Sequence, residues 1–566
     1  MERNKKMKKF KDLEYKRVDF NEAVGIVRKL GNDIKAAKSG DELKKLYKEY
    51  QEQSGKYNTA ITLASIRNTI DMNDKFYEDE MNYYYEELPK FEEEEKKVIK
   101  LLMESPYFNE LREAFGDIFV KNKEIEQRLS SEETIEDSIE ESKLTQEYSK
   151  VAATCSVEFM GEECNFYGLL KHMESTDRQE RKAAFEAWAK LYESISEKLD
   201  DIYTKLVEIR DRKAKKLGFD SYIDMAYAFM HRFDYDKKDV ESFRKQVKEI
   251  IVPACVKLRE KQRERLGVDK LRFYDESLIF PEGNAKPVGD MKYMVEEARK
   301  MYHELSEETG EFFDFMTDYE LFDLETRPGK HQGGYCTYLV QYKAPFIFSN
   351  FNGTSADVEV LTHEAGHAFA GYTAERKQEL LEFADTTSEV AEIHSMTMEH
   401  FTYPWMERFF GDKTDKFIYA HLSQALFVMP YMMCVDEFQH KVFEKPDMSP
   451  MESRKVWKSL EEEYMPWRDY DGNEFLTGGG FWMQKQHIFM YPFYYIDYAL
   501  AQTCAFQLYV RSRHDSKAAW KDYMALCEVG GSKGYLDILE LGHLNSPFEE
   551  GTVKNATREV FKELGI

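Results

Sequence analysis

Residues 345–369 read PFIFSNFNGTSADVEVLTHEAGHAF, and the texture changes abruptly within them. After Pro345, the run FIFSNF at 346–351 is rich in aromatic and β-branched residues and favours a strand. A polar turn with one glycine follows, and from Asp357 the residues favour a helix. Inside that helix lies His363-Glu364-Ala365-Gly366-His367, the H-E-x-x-H pattern. Residues four apart on a helix are about 40° apart in projection, so both imidazoles face one way and can hold one zinc. Glu364 lies beside that face, where a carboxylate can take a proton from an activated water.

A third ligand is required, and the next helical stretch, DTTSEVAEIHSMTMEHF at 385–401, offers several. Thr386 with Glu389 three residues later resembles a capping box that opens this helix. Glu392 and Glu399 are seven apart and share a face. One carboxylate can ligate the metal while the other orients a ligating histidine through its remaining N–H. Glu389 competes for the ligand role, as do His394 and His400, although His394 points elsewhere on the helix.

Outward from this centre, the chain divides by texture. Proline is absent before Pro89 and between Pro106 and Pro253, where Glu, Lys, Leu and Ala dominate, so long helices are expected. In FEEEEKKVIKLL, Glu92 precedes Lys96 and Glu93 precedes Lys97 by four residues, which favours pairing along a solvated face. The acidic stretch 130–143 reads as a turn and an exposed helix, and as a weak boundary. Between about 266 and 355, Gly and Pro return and three β-favouring runs appear: YELFDL, YCTYLV and FIFSNF. They predict a small sheet, with RPGKHQGG as a flexible loop and FIFSNF as an exposed edge able to pair with an extended peptide. Gly478-Gly479-Gly480 interrupts the helical C-terminal part as a second flexible element.

The whole chain, 566 residues, has 42% apolar and 33% charged residues, which excludes a disordered chain. Acidic residues outnumber basic ones by 106 to 80, for a net charge of −26. That charge argues against nucleic-acid and membrane-surface partners. The basic N-terminal stretch MERNKKMKKFKDLEYKR has no apolar run behind it, so no secretory signal is expected. No stretch approaches the roughly 20 apolar residues of a membrane span. Seven widely spaced cysteines without C-x-x-C point to a reducing, cytoplasmic setting.

From His363 to Glu392 the spacing is 392 − 363 = 29, and the second helix reads Glu-x6-Glu. Together with the strand–turn–helix above and with GGGFWMQKQHIFMYPFYYIDYALA at 478–501, this resembles the thimet oligopeptidase and oligoendopeptidase F family of zinc metallopeptidases. The resemblance covers about residue 200 to the C-terminus and is closest to the oligoendopeptidase F branch. It implies a mainly α fold with two helical lobes flanking a deep substrate channel, and one small β-sheet next to the zinc-binding helix. It implies an N-terminal helical lobe at 1–195 and a catalytic region at 196–566. One zinc per chain would be held by His363, His367 and Glu392, with Glu399 as the carboxylate orienting a ligand and Glu364 as general base. His487 and Tyr498 fall on the family's transition-state residues. A second tyrosine matches Tyr495 best, with Tyr494 and Tyr491 as alternatives, because the chain runs one residue shorter here than the thimet branch. The expected activity is endoproteolysis of short peptides. A zinc carboxypeptidase or dipeptidyl carboxypeptidase is the alternative, and would need a cation to grip a C-terminal carboxylate. A non-catalytic peptide-binding protein is the other, against which the intact Glu364 argues.

Overall fold

The computed structural model describes residues 7–129 and 131–566. The first six residues of the basic N-terminal stretch and Ser130 of the acidic stretch lie outside the described residues. The fold is mainly α with two small sheets. Two compact units are each assembled from three segments: residues up to Gln127, Lys286–Thr414 and Arg511–Leu544 form the first, and Arg128–Ala285, Asp415–Val510 and Asn545–Ile566 the second. The first break therefore falls just before the acidic stretch. The division expected after residue 195 lies inside the 39-residue helix Arg178–Lys216.

In the first unit, the helices Phe20–Ala36, Gly40–Ile70 and Lys75–Met103 pack through Val27, Leu43, Tyr47, Tyr84, Phe91 and Leu102. Leu380 and Phe383, more than 260 residues further along the chain, complete that core and tie it to the segment carrying the second metal-site helix. Pro89 sits inside the third of these helices rather than ending it. The expected i,i+4 charge pairs on it are replaced by i,i+3 pairs, Glu93–Lys96 at 2.9 Å and Glu94–Lys97 at 2.7 Å. Glu94 also pairs with Arg28 of the neighbouring helix, at 2.7 Å.

The three predicted strands form one sheet in the order Phe322–Glu325, Ala344–Phe351, Tyr335–Leu339. FIFSNF is its central strand, not an exposed edge: it pairs parallel with Phe322–Glu325 and antiparallel with Tyr335–Leu339. Its near-continuous burial explains why it reads as an unbroken apolar run. The edge strands are Phe322–Glu325 and Tyr335–Leu339. Pro345 lies opposite Tyr338 and cannot donate, and Ile347, opposite Cys336, gives its N–H to Leu321 at 3.0 Å. By the alternation of antiparallel ladders, the backbone groups of Cys336 and Tyr338 point to the open side.

The loop RPGKHQGG is anchored rather than loose at its middle. Lys330 Nζ, fully buried, donates to the Asp323 carboxylate at 2.6 Å and to the carbonyls of Asp323, Glu325 and Ser349. A hairpin, Val157–Phe159 with Glu162–Cys164, was not foreseen. In the second unit, the acidic helix Ile135–Ala153 is clamped to Arg178–Lys216, with Glu141 binding Arg210 and Lys213, and Asp137 binding Arg212 and Lys216. Among the described residues, one helical run is apolar enough to cross a membrane by composition, Glu407–Glu444, and 61% of its apolar window is buried inside the protein.

Candidate metal centre and neighbouring residues

The helix Ala356–Lys377 starts from a turn fixed by Asp357, whose carboxylate accepts from the N–H of Asn352 at 2.9 Å and of Gly353 at 2.7 Å. It then runs between the sheet and the helix Ser388–Phe401. Two glycines make both approaches possible. A Cβ on Gly366 would lie 2.6 Å from Ser395 Cα and 2.8 Å from the His394 carbonyl oxygen. A Cβ on Gly371 would strike the ring of Tyr338, whose hydroxyl donates to the His367 carbonyl at 2.7 Å. Gly366, between the two histidines, is thus the point where the second helix comes close.

That contact brings the carboxylates to the imidazoles. One donor atom from each of His363, His367 and Glu392 lies within 4.8 Å of the others. Glu392 Oε2 is 3.4 Å from His363 Nε2 and 3.6 Å from His367 Nε2. Tetrahedral zinc with bonds of about 2.0–2.1 Å spaces its ligands by roughly 3.3–3.5 Å, so these three residues fit the ion. Glu399 Oε1 accepts from His363 Nδ1 at 2.5 Å, leaving Nε2 to face the centre. Ser395, which sequence reasoning missed, donates to Glu392 Oε2 at 3.0 Å and sets the carboxylate's rotation.

Glu364 is nearly buried, and that burial lifts its carboxyl to about 7. The His363 imidazole draws it down, and the charges of Glu392 and Glu399 push it further up. A dication at the centre would oppose the rise. Burial pulls His367 down to about 4, which keeps its imidazole neutral, as a ligand must be.

The competitors lie elsewhere. His394 turns toward the helix Ser516–Val529: its ring meets the Leu526 backbone and its carbonyl accepts from Tyr523 at 3.0 Å. His400 packs on Tyr403. Glu389 is buried but is not among the converging donors. The expected capping box of Thr386 and Glu389 is absent: the N-cap is Thr387, which makes no side-chain cap, so Glu389 falls at the second helical position instead of the third, and it is buried. Instead, the turn before this helix is held by Gly530 and Gly531, where a Cβ would lie 2.0 Å from the carbonyl oxygens of Phe383 and Asp385.

His487, Tyr495 and Tyr498 form a cluster within the second unit. The ring of His487, in the short helix Gln486–Met490, is 4.9 Å from Tyr495, 5.9 Å from Tyr494, 6.1 Å from Tyr491 and 6.5 Å from Tyr498, centroid to centroid. Tyr491 is mostly exposed. Arg232, fully buried, fixes the backbone between them, donating to Asp497 Oδ1 at 2.6 Å and to the Phe493 carbonyl at 2.8 Å. Phe493 has φ +65°, a conformation that few side chains adopt without such support. No spacing in the sequence links Arg232 to Asp497. Of the three glycines before this cluster, Gly479 has φ +95° and abuts the Arg454 carbonyl, and Gly480 packs on Phe475. Only Gly478 has open space around it, so packing rather than flexibility requires glycine at the other two.

Comparison with known proteins places this geometry. Residues 171–557 match the family model described as peptidase family M3, and residues 10–130 match the peptidase M3 N-terminal domain. Oligoendopeptidase F of Lactococcus lactis subsp. cremoris is 24% identical over 398 residues, 67% of this chain and 62% of that protein. The chain thus spans less than two thirds of the length of the curated relatives it matches first. The solved structure of PZ peptidase A with inhibitor 2 superimposes with a TM-score of 0.92 at 44% identity, covering 98% of this chain and 99% of that one. Oligoendopeptidase F from Enterococcus faecium shares the fold at 16% identity, with a TM-score of 0.65 over 96% of each chain.

Proposed function

Because the chain belongs to peptidase family M3, we propose that it is a zinc-dependent endopeptidase of short peptides, with its catalytic region within 196–566. The observation that carries this reading is the convergence of His363, His367 and Glu392, with Glu392 Oε2 3.4 Å and 3.6 Å from the two imidazole nitrogens, beside the buried Glu364. A bound zinc supplies Lewis acidity, activating a water and polarising the scissile carbonyl.

The chain's own residues do the rest. Glu399 holds His363 in the tautomer that presents Nε2, and Ser395 steadies the Glu392 carboxylate. Glu364 takes the proton from the attacking water and passes it to the leaving amine, a role suited to a carboxyl raised toward neutrality. His487 and Tyr498, assigned by family resemblance, donate to the developing oxyanion, with Tyr495 as a further donor. An extended peptide pairs with the open edge at Cys336 and Tyr338, on the strand that packs against the metal helix. A cytoplasmic setting, without nucleic-acid or membrane partners, follows from the acidic charge and the seven free cysteines.

The test is incubation of a mixed pool of short peptides with the purified protein, with and without a chelator. Internal cleavage that the chelator abolishes and zinc restores is expected. A pool left intact under all conditions overturns the reading.

A further inference from the structure

Among the described residues, Lys485 and Arg265 are half-buried cations of the second unit that rest on aromatic rings with no carboxylate beside them, and of the two Lys485 is the one next to the His487 cluster. Buried or half-buried Arg210, Arg232, Arg244, Arg454 and Arg468 each hold a carboxylate: Glu141, Asp497, Asp436, Asp200 and Glu276. Lys485 is also half-buried, yet among the described residues its ammonium meets no carboxylate. It rests on aromatic faces instead, 4.1 Å from the centroid of Tyr495 and 5.8 Å from that of Tyr431. Gln484 bonds the Tyr431 hydroxyl, and Tyr431 packs edge-on to Tyr495, so the platform is itself fixed. Ring faces attract a cation without neutralising it, leaving the ammonium positioned and its charge available. In a chain of net charge −26, where neighbouring cations are compensated, such a charge can answer an anion brought by a ligand. Tyr495 links it to the proposed chemistry, since the same ring lies 4.9 Å from His487.

We propose that Lys485 is a specificity-determining residue that binds a carboxylate of the substrate peptide. The inference rests on the peptidase reading above. The carboxylate can be the peptide's C-terminus or an acidic side chain, and both present the same chemistry to an ammonium. If it is the C-terminus, Lys485 supplies the cation that a carboxypeptidase-like preference needs.

The experiment compares peptides of one sequence ending in a carboxylate or a carboxamide, and a second set differing only by Glu against Gln at one internal position. Lys485→Met keeps the stem on the rings and removes the charge; Lys485→Arg keeps the charge. Wild-type protein is expected to favour the charged member of one pair, mainly through KM, by about ten- to hundredfold. Lys485→Met should bring that ratio close to one with kcat little changed, and Lys485→Arg should restore most of it. Discrimination confined to the first pair assigns the C-terminus, and discrimination confined to the second assigns an acidic side chain. Wild-type cleavage that treats both members of both pairs alike overturns the proposal and leaves the peptidase reading standing. So does a Lys485→Met protein that loses equally on charged and neutral peptides. Anisotropy of the same peptides, labelled, on Glu364→Gln protein loaded with zinc reads the preference without turnover. Absence of any cleavage, with that binding preference intact and sensitive to Lys485→Met, overturns the peptidase reading alone.

Discussion

Gly366→Ala adds a single methyl group between the two helices of the candidate metal centre. Its Cβ would stand 2.6 Å from Ser395 Cα, 2.8 Å from the His394 oxygen and 3.0 Å from Met398 Cβ. Ordinary contact begins at 3.4 Å, so the helices must part by at least about 0.8 Å, and two of the three obstacles are backbone atoms that cannot rotate away. Stability is a poor readout, because overpacking costs about 1–3 kcal/mol while alanine in a helix regains about 0.5–1 kcal/mol over glycine. Zinc affinity is the sharp one. Glu392 Oε2 now sits at the spacing that bonds of about 2.0–2.1 Å require, and a shift of that size spoils one bond of three. Affinity should fall by at least the ten- to hundredfold seen when a ligand loses its orientation. Competition with a chromophoric chelator measures it. Gly25→Ala, in a helix where the new methyl meets nothing within 4 Å, is the control and should leave zinc binding unchanged. A Gly366→Ala protein that binds zinc as tightly as wild type would show that the close approach at Gly366 does not set the position of Glu392.

Glu364→Gln should retain one zinc per chain and lose about two to four powers of ten in kcat, whereas His363→Ala should lose the metal; metal analysis beside peptide turnover separates the two. Tyr498→Phe should depress kcat by roughly two to three powers of ten with KM and melting temperature nearly unmoved; a stability loss with activity per folded molecule preserved would make Tyr498 a packing residue. Arg232→Met removes one partner of a fully buried ion pair, so unfolding in urea should show the second unit weakened by about 3–5 kcal/mol. Unchanged unfolding would show that Asp497 is satisfied without it.

What the sequence made legible was what repeats locally. H-E-x-x-H, the Glu-x6-Glu face and the three β runs follow helix and strand periods, and the structure places them on a helix, a helix and one sheet. Order within the sheet was not legible, because a buried central strand and an apolar edge strand look alike until their neighbours are known. The helix opens one residue later than the Thr386–Glu389 pattern suggests, which leaves Glu389 out of capping register and buried, and two adjacent threonines give no local signal to choose between the starts. Contacts such as Arg232–Asp497, 265 residues apart, leave no periodic trace. Neither does the charge of Lys485, whose meaning comes from the rings beneath it.

In the proposed function, one zinc at His363, His367 and Glu392 makes this protein a peptidase. Titrating zinc into metal-free protein while following hydrolysis of a defined short peptide tests it most directly. Activity should rise linearly and level off at one zinc per chain, and Glu364→Gln should bind the same equivalent without gaining activity. Hydrolysis that persists in the metal-free protein, or that never appears at one equivalent of zinc, would mean that these three residues do not hold a catalytic zinc.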